Sequence, residues 1–312
     1  MKQQAIPSSA FAPRPGVENW MRQFQDWLCH RLEMADGGSR FAHEEWTHPG
    51  GGGGITAALQ HGAVLEKAGV SFSAVWDQLS EPMARQLRVK DRHYYTADVN
   101  VGLHPHSPMV PISHLNVRYF EARTGEAWFA GSLDLTPIYV DVVQARWFHE
   151  QIRAMCQRHD TGYYPRFKAG ADAHFYLPHR GETRGVGGLF FEQLMVERDG
   201  LFEELLAFVQ DVGEVFGRTY GTLMRQNAHL PYSAPEKHWQ QQRRARCAEF
   251  NLTVDCPGRS ELAAHGPQQF ALGLPPRAEW HHSPAPAPGS AEARTQQWLR
   301  PGVDWLAPTG AA

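Results

Sequence analysis

The chain has 312 residues, 42% of them hydrophobic and 20% charged, with a formal net charge of −3. That is the composition of an ordinary soluble globular protein of one large domain or two smaller ones. It gives no global pull toward nucleic acid, and no apolar run reaches the ~18 residues of a membrane span. The four cysteines, at 29, 156, 247 and 256, form no CxxC pair. This argues against a zinc knuckle and for a reducing compartment, so a cytoplasmic location is expected. The N-terminus (MKQQAIPSSAFAPRPG) has one lysine and no apolar core, so no secretory signal is expected.

In chain order, residues 1–16 read as a disordered lead-in, and 17–312 as a single domain. Residues 17–35 place Trp20, Phe24, Trp27, Leu28 and Leu32 at helical spacing, which predicts an amphipathic helix. Five consecutive glycines, Gly50 to Gly54, lie between segments that read as packed strands. No GK[ST] follows them and no acidic-partnered GxGxxG is present, so the run is a tightly packed or ligand-approaching loop, not a phosphate loop.

Asn100 to Arg118 (NVGLHPHSPMVPISHLNVR) is the most informative stretch. Its prolines exclude a helix interior and predict extended chain. Alternation along a strand puts His114, Asn116 and Arg118 on one face and Leu115 and Val117 on the other, with steps of about 7 Å. An imidazole, an amide and a guanidinium on one face form a surface that grips a carboxylate and exchanges a proton. Next, EAWFAGSLDLTPIY reads as a strand and a turn. A helix follows, with Val142, Ala145, Phe148 and Ile152 on one face and His149 beside it. Residues 163–192 gather Arg166, Lys168, Arg180 and Arg184 around His174 and His179, ending in a glycine turn into a buried strand. A long helix over 199–226, a charged helix over 236–246 and a strand in AEFNLTVD complete the core elements. The predicted class is α+β, with no regular βαβ alternation. Clustered Arg and His in a globally acidic chain point to a small anionic substrate with several carboxylates. Histidines 104, 114, 149 and 179 are also the types that ligate a borderline metal. No nucleophile elbow or paired catalytic carboxylates favour a hydrolase.

The segments WTHPGGGGG, EKAGVSFSAV, HPHSPMVPISHLNVRYF, DLTPIY, FYLPHRGETRGVGGLFFE, EFNLTVD and LPPRAEW resemble the oxygen-dependent coproporphyrinogen III oxidases, over roughly residues 17–306. The resemblance implies a large antiparallel sheet flanked by helices on both faces, in a homodimer formed through about residues 247–280. It implies oxidative decarboxylation of two propionates of a reduced tetrapyrrole to vinyl groups. It further implies molecular oxygen as the co-substrate and no organic cofactor, and it is compatible with a divalent metal. His114 matches a proposed proton donor, and Asp255 an acid thought to engage pyrrole nitrogens. Asn116, Val117 and Arg118 match a substrate-contacting segment, with Arg118 also counted among the catalytic positions. His104, His114, His149 and His179 match proposed metal positions. Asn100, Arg166, Arg180, Arg184 and Gly266 complete the expected substrate contacts.

The chain departs from the family pattern at several points. His48 stands where an arginine precedes the proline, and Ile55-Thr56-Ala57-Ala58 replaces a basic segment. Asp255-Cys256-Pro257-Gly258 replaces Asp-Arg-Gly-Thr, and His265-Gly266-Pro267 a Gly-Gly-Arg loop. Asn100 stands where the family has a serine. Two alternatives therefore accompany the family activity. One is a paralogue that decarboxylates another electron-rich pyrrole or indole acid; the other is a non-catalytic tetrapyrrole-binding protein.

Overall fold

The computed structural model describes residues 16–255, 271–282 and 285–307, with the side chain of Asp255 excepted. The expected lead-in, apart from Gly16, and residues 256–270, with the expected contact at Gly266, lie outside these residues.

The centre is a seven-stranded antiparallel sheet in the order β1-β2-β3-β4-β5-β6-β9. Its strands are β1 (Ala42–Thr47), β2 (Gly52–Gln60), β3 (Leu65–Gln78), β4 (His93–Pro105), β5 (Ile112–Ala122), β6 (Ala127–Thr136) and β9 (Gly188–Met195). A two-stranded ribbon, β7 (Tyr176–Leu177) and β8 (Glu182–Thr183), sits apart. The helices are α1 (Val17–Asp36), α2 (Glu81–Leu87), α3 (Val142–Gln157), α4 (Tyr163–His174), α5 (Phe202–Asn227), α6 (Ala234–Phe250) and α7 (Ala291–Trp298). This is the α+β class and antiparallel sheet that the sequence predicts. No described helix is long and apolar enough to cross a membrane.

The two faces of the sheet differ because side chains alternate along each strand. Odd-numbered positions of β4 and β5, including Tyr95, Val99, Leu103, Leu115, Val117 and Tyr119, are buried in one core with Phe24 and Leu28 of α1 and Phe208, Val212 and Phe216 of α5. Fully burying side chains of this size contributes about 1.5–3 kcal/mol each, which makes this face the main source of stability. On the opposite face Tyr94, Phe120 and Trp128 pack under Met83 and Ala84 of α2. Farther along the same face the side chains turn polar.

Gly52 to Gly54 are inside β2, and only Gly50 and Gly51 form a turn. A Cβ built on Gly54 would lie 2.2 Å from the Phe72 carbonyl oxygen and 2.5 Å from the Trp46 ring. The run is therefore a close approach of backbone and indole. Gly54→Ala is expected to lower unfolding stability by about 1–3 kcal/mol through overpacking. Urea denaturation measures this, and an unchanged midpoint would show that the Phe72 backbone and Trp46 both give way at no cost.

Two expectations differ from the structure. The segment AEFNLTVD is no strand: it is the end of α6 followed by a π-helical turn at Asn251–Asp255. Residues 163–174, read only as a basic and aromatic cluster, form α4. Pro165 is tolerated there because the first-turn N–H groups have no intrahelical acceptor.

Candidate active site

The register places Asp98 opposite Arg118, Asn100 opposite Asn116 and Gly102 opposite His114 across β4 and β5, and β6 adds Ser132 opposite Asn116 and Asp134 opposite His114. These even-numbered positions share one face, as the alternation in NVGLHPHSPMVPISHLNVR predicts. His104 and His114 lie edge to face with ring centroids 5.6 Å apart.

Asp134 is the hub. It is 2% exposed, and its Oδ1 lies 3.1 Å from His114 Nδ1 and 2.7 Å from an Arg184 guanidinium nitrogen. Thr136 Oγ1 donates to its Oδ2 at 2.8 Å. Burial opposes ionisation of this carboxyl, but Arg184 and His114 outweigh it and hold it below the usual carboxylate range. An anionic Asp134 fixes a proton on His114 Nδ1 and leaves Nε2 free for chemistry. That Nε2 is buried and has no hydrogen-bond partner. Beside it, Asn116 Nδ2 and Arg118 Nε are also buried and unpartnered, with Arg118 Nε 3.8 Å from Asp98 Oδ2. Buried polar atoms left unsatisfied cost about 1–3 kcal/mol each, so an acceptor at His114 Nε2 with two donors beside it marks a place built for a ligand.

The surrounding elements close one end of this face. Arg184 lies over the rings of Phe175 and Phe250 and donates to Asn251 Oδ1 at 3.4 Å. Asn251 Nδ2 donates to the Gly273 carbonyl at 3.1 Å, and His104 Nε2 bonds the same oxygen at 3.3 Å. Lys67 Nζ holds the carbonyls of Ala271 and Leu274, the latter at 2.9 Å. His104 is fully buried, and its pKa is lowered well below 6.5 by desolvation first and by His114 second, so it is neutral.

The other predicted site residues fall elsewhere. Val117 is in the apolar core on the opposite face, so its side chain meets no ligand on the polar one. Arg166 is on α4, largely exposed, over Phe167 and 3.7 Å from Asp199. Arg180 is held by both oxygens of Glu249, at 2.9 and 2.6 Å. His179 bonds the same carboxylate at 3.2 Å. His149 bonds Tyr164 through Nδ1 at 3.1 Å and the Val186 carbonyl through Nε2 at 3.0 Å. With both ring nitrogens engaged, it does not join a metal set with His104, His114 and His179. The four-histidine arrangement therefore does not assemble, and no step is derived through a metal. His48, at the head of the glycine run, accepts from Gly50 N and faces Asp77 at 3.4 Å.

Sequence reasoning missed Asp134 as the organiser. Its signal was DLTPIY, a segment already conspicuous, read together with the even-numbered face of the neighbouring strand. Arg243 and Arg244 belong to the segment expected as a charged helix, and both are almost wholly buried, bonded to Glu182 and Glu66 at 2.7 Å each.

A seven-stranded sheet bearing an imidazole with a free Nε2 and a buried carboxylate behind it, with an amide and a guanidinium alongside, is an arrangement able to exchange a proton with an anionic ligand. The family model of coproporphyrinogen III oxidase matches residues 16–305. The chain belongs to the coproporphyrinogen III oxidase family, and is accordingly an oxidoreductase with a role in coproporphyrinogen oxidation.

Proposed function

We propose that the chain catalyses the oxygen-dependent conversion of two propionates of coproporphyrinogen III into vinyl groups, forming protoporphyrinogen IX for haem synthesis. The observation that carries this reading is His114, with Nδ1 held by Asp134 and a bare Nε2 on a polar face. In each cycle a propionate loses its carboxylate carbon as carbon dioxide and a hydrogen from the carbon next to the ring. Dioxygen takes the two electrons and, with that hydrogen and one added proton, leaves as hydrogen peroxide. His114 Nε2 is the group that moves a proton at the ring or at the departing side chain. Arg118 and Asn116 supply donors for a carboxylate, and Arg118 does so bidentately if it leaves Asp98. Asp134 positions the imidazole and does not itself reach the substrate. Asp255 matches, by family resemblance, the pyrrole-facing acid and takes that role in this reading.

His114→Ala is expected to lower turnover at least ~100-fold while leaving the fold intact, as loss of a general acid or base does. Carbon dioxide and peroxide release in air, against an anaerobic control, is the assay. Near-wild-type turnover, or equal turnover without oxygen, would reject the assignment.

A second reading, a paralogue acting on a smaller aromatic acid, is favoured by the ion pairing. Among the described residues Arg166, Arg180 and Arg184 each face a carboxylate of the protein, and the family arginine at His48 is absent. Losing two bidentate contacts at roughly 1.5–3 kcal/mol each weakens a tetracarboxylate by about two to four orders of magnitude. Titration of coproporphyrin III against a mono- or dicarboxylate pyrrole separates the two readings. Submicromolar binding of the tetracarboxylate alone would favour the haem-pathway role.

We also propose a homodimer through residues 247–280, supported by the exposure of Leu252 and Trp280 in that stretch. Sedimentation showing only monomer at micromolar concentration would exclude it. The cytoplasm suits the buried free thiols of Cys29, Cys156 and Cys247.

A further inference from the structure

The segment that follows the cover of the active site returns to α6. The Glu279 amide donates to the Gln241 carbonyl at 3.1 Å, which sets residues 277–282 along the first half of that helix. His238 projects from the helix and His281 from the segment. His238 Nδ1 lies 2.9 Å and His281 Nε2 3.5 Å from the same oxygen of Glu279. The two rings stand edge to face at 5.3 Å. One ligand atom from each of the three residues lies within 4.8 Å of the others, and all three residues are exposed.

Two imidazoles and a carboxylate are the donor set of a three-ligand zinc site, with the fourth position left to water. Zinc bonds of about 2.0–2.1 Å put tetrahedral donors roughly 3.3 Å apart, so the present spacing needs only a small closure. The mixture of nitrogen and oxygen selects a borderline metal over magnesium or calcium, which take oxygen ligands. None of the three residues belongs to the His114 face, and the active site's own chemistry does not use them. We propose that His238, Glu279 and His281 form a surface site for one zinc-class divalent cation. The ion would clip the 271–282 segment, which lies over His104 and Gly69, to α6.

The test uses full-length, tag-free protein, dialysed against about 50 µM free zinc chloride, a level chosen to fill a micromolar site. One equivalent should be retained by the parent and by His114→Ala. Glu279→Gln and His281→Ala should each bind at least ~10-fold more weakly. Cobalt(II) should give the intense visible spectrum of tetrahedral nitrogen and oxygen coordination in the parent and lose it in His281→Ala. Zinc should also raise the parent's melting temperature by at least ~2 °C and leave that of His281→Ala unmoved. Retention of zinc by both variants as in the parent, or no uptake by the parent, would reduce the cluster to a surface ion pair and overturn the proposal. These readouts require no turnover, so they stand or fall apart from the proposed reaction.

Discussion

Asp134→Ala is expected to abolish turnover and to remove a large part of the folding stability. The Arg184 guanidinium it neutralises is 4% exposed, and no described acid other than Asp134 forms a salt bridge with it. Breaking a buried ion pair by removing one partner costs about 3–5 kcal/mol, because the survivor remains as an uncompensated charge. Domains of this kind have only about 5–15 kcal/mol in hand. Asp134→Asn keeps the volume and a contact for Thr136 but no longer fixes the proton on His114 Nδ1, so it should lower turnover at least ~100-fold. A paired replacement, Asp134→Leu with Arg184→Met, separates the two roles. Removing both charges is often neutral or stabilising, so the pair should recover folding while staying inactive. Urea unfolding and turnover measured on the same preparations decide the matter. An active Asp134→Asn enzyme would show that His114 needs no carboxylate behind it.

The second large effect is acid sensitivity. Burial pushes His149 from 6.5 down to about 3, and His104 is likewise driven well below 6.5. Both are neutral in the folded protein and take up protons freely once unfolded. Below about pH 6.5 the unfolded chain therefore binds more protons, and stability falls as pH falls. Each buried histidine contributes a slope of about 1.4 kcal/mol per pH unit until its own folded pKa is reached. Two together give about half of 2.7 kcal/mol per unit around pH 6.5 and approach about 2.7 kcal/mol per unit toward pH 5, where the unfolded histidines are almost fully protonated. Unfolding free energy measured at pH 7, 6 and 5 should show this slope, and His149→Gln should remove about half of it. A flat profile over that range would mean that both rings are protonated or solvated in the folded state.

What the sequence discloses depends on whether its cause is local. The helices α1, α3 and α5 follow from apolar residues recurring at helical spacing, such as Phe24, Leu28 and Leu32. The face carrying His114, Asn116 and Arg118 follows from the two-residue period of a strand. The alternation of Phe250, Leu252 and Val254 looked like a third instance and is not. There the chain continues as helix, because Arg243 and Arg246 bond Glu182, and Arg246 bonds Glu249 within its own turn. Partners some sixty residues distant leave no local trace. Asp134 is hidden for the same reason. In the sequence it is one acid in a strand, and only the fold brings Arg184 and His114 to it. The half-buried pairing of Arg180 with Glu249 likewise turns an apparent ligand contact into an internal one.

The strip from Ala271 to Leu274 is fastened over the polar face almost entirely by its carbonyls. Lys67, His104 and Asn251 all bond main-chain oxygens of Ala271, Gly273 or Leu274, and none of them grips a side chain of the strip. Leu272 reaches down to Gly69, where an added Cβ would come within 2.8 Å of it. Mutational drift in the strip thus leaves its moorings intact while changing the surface that overhangs His114. The strip is four residues whose side chains can change without loosening its backbone, set against a fixed stop at Gly69.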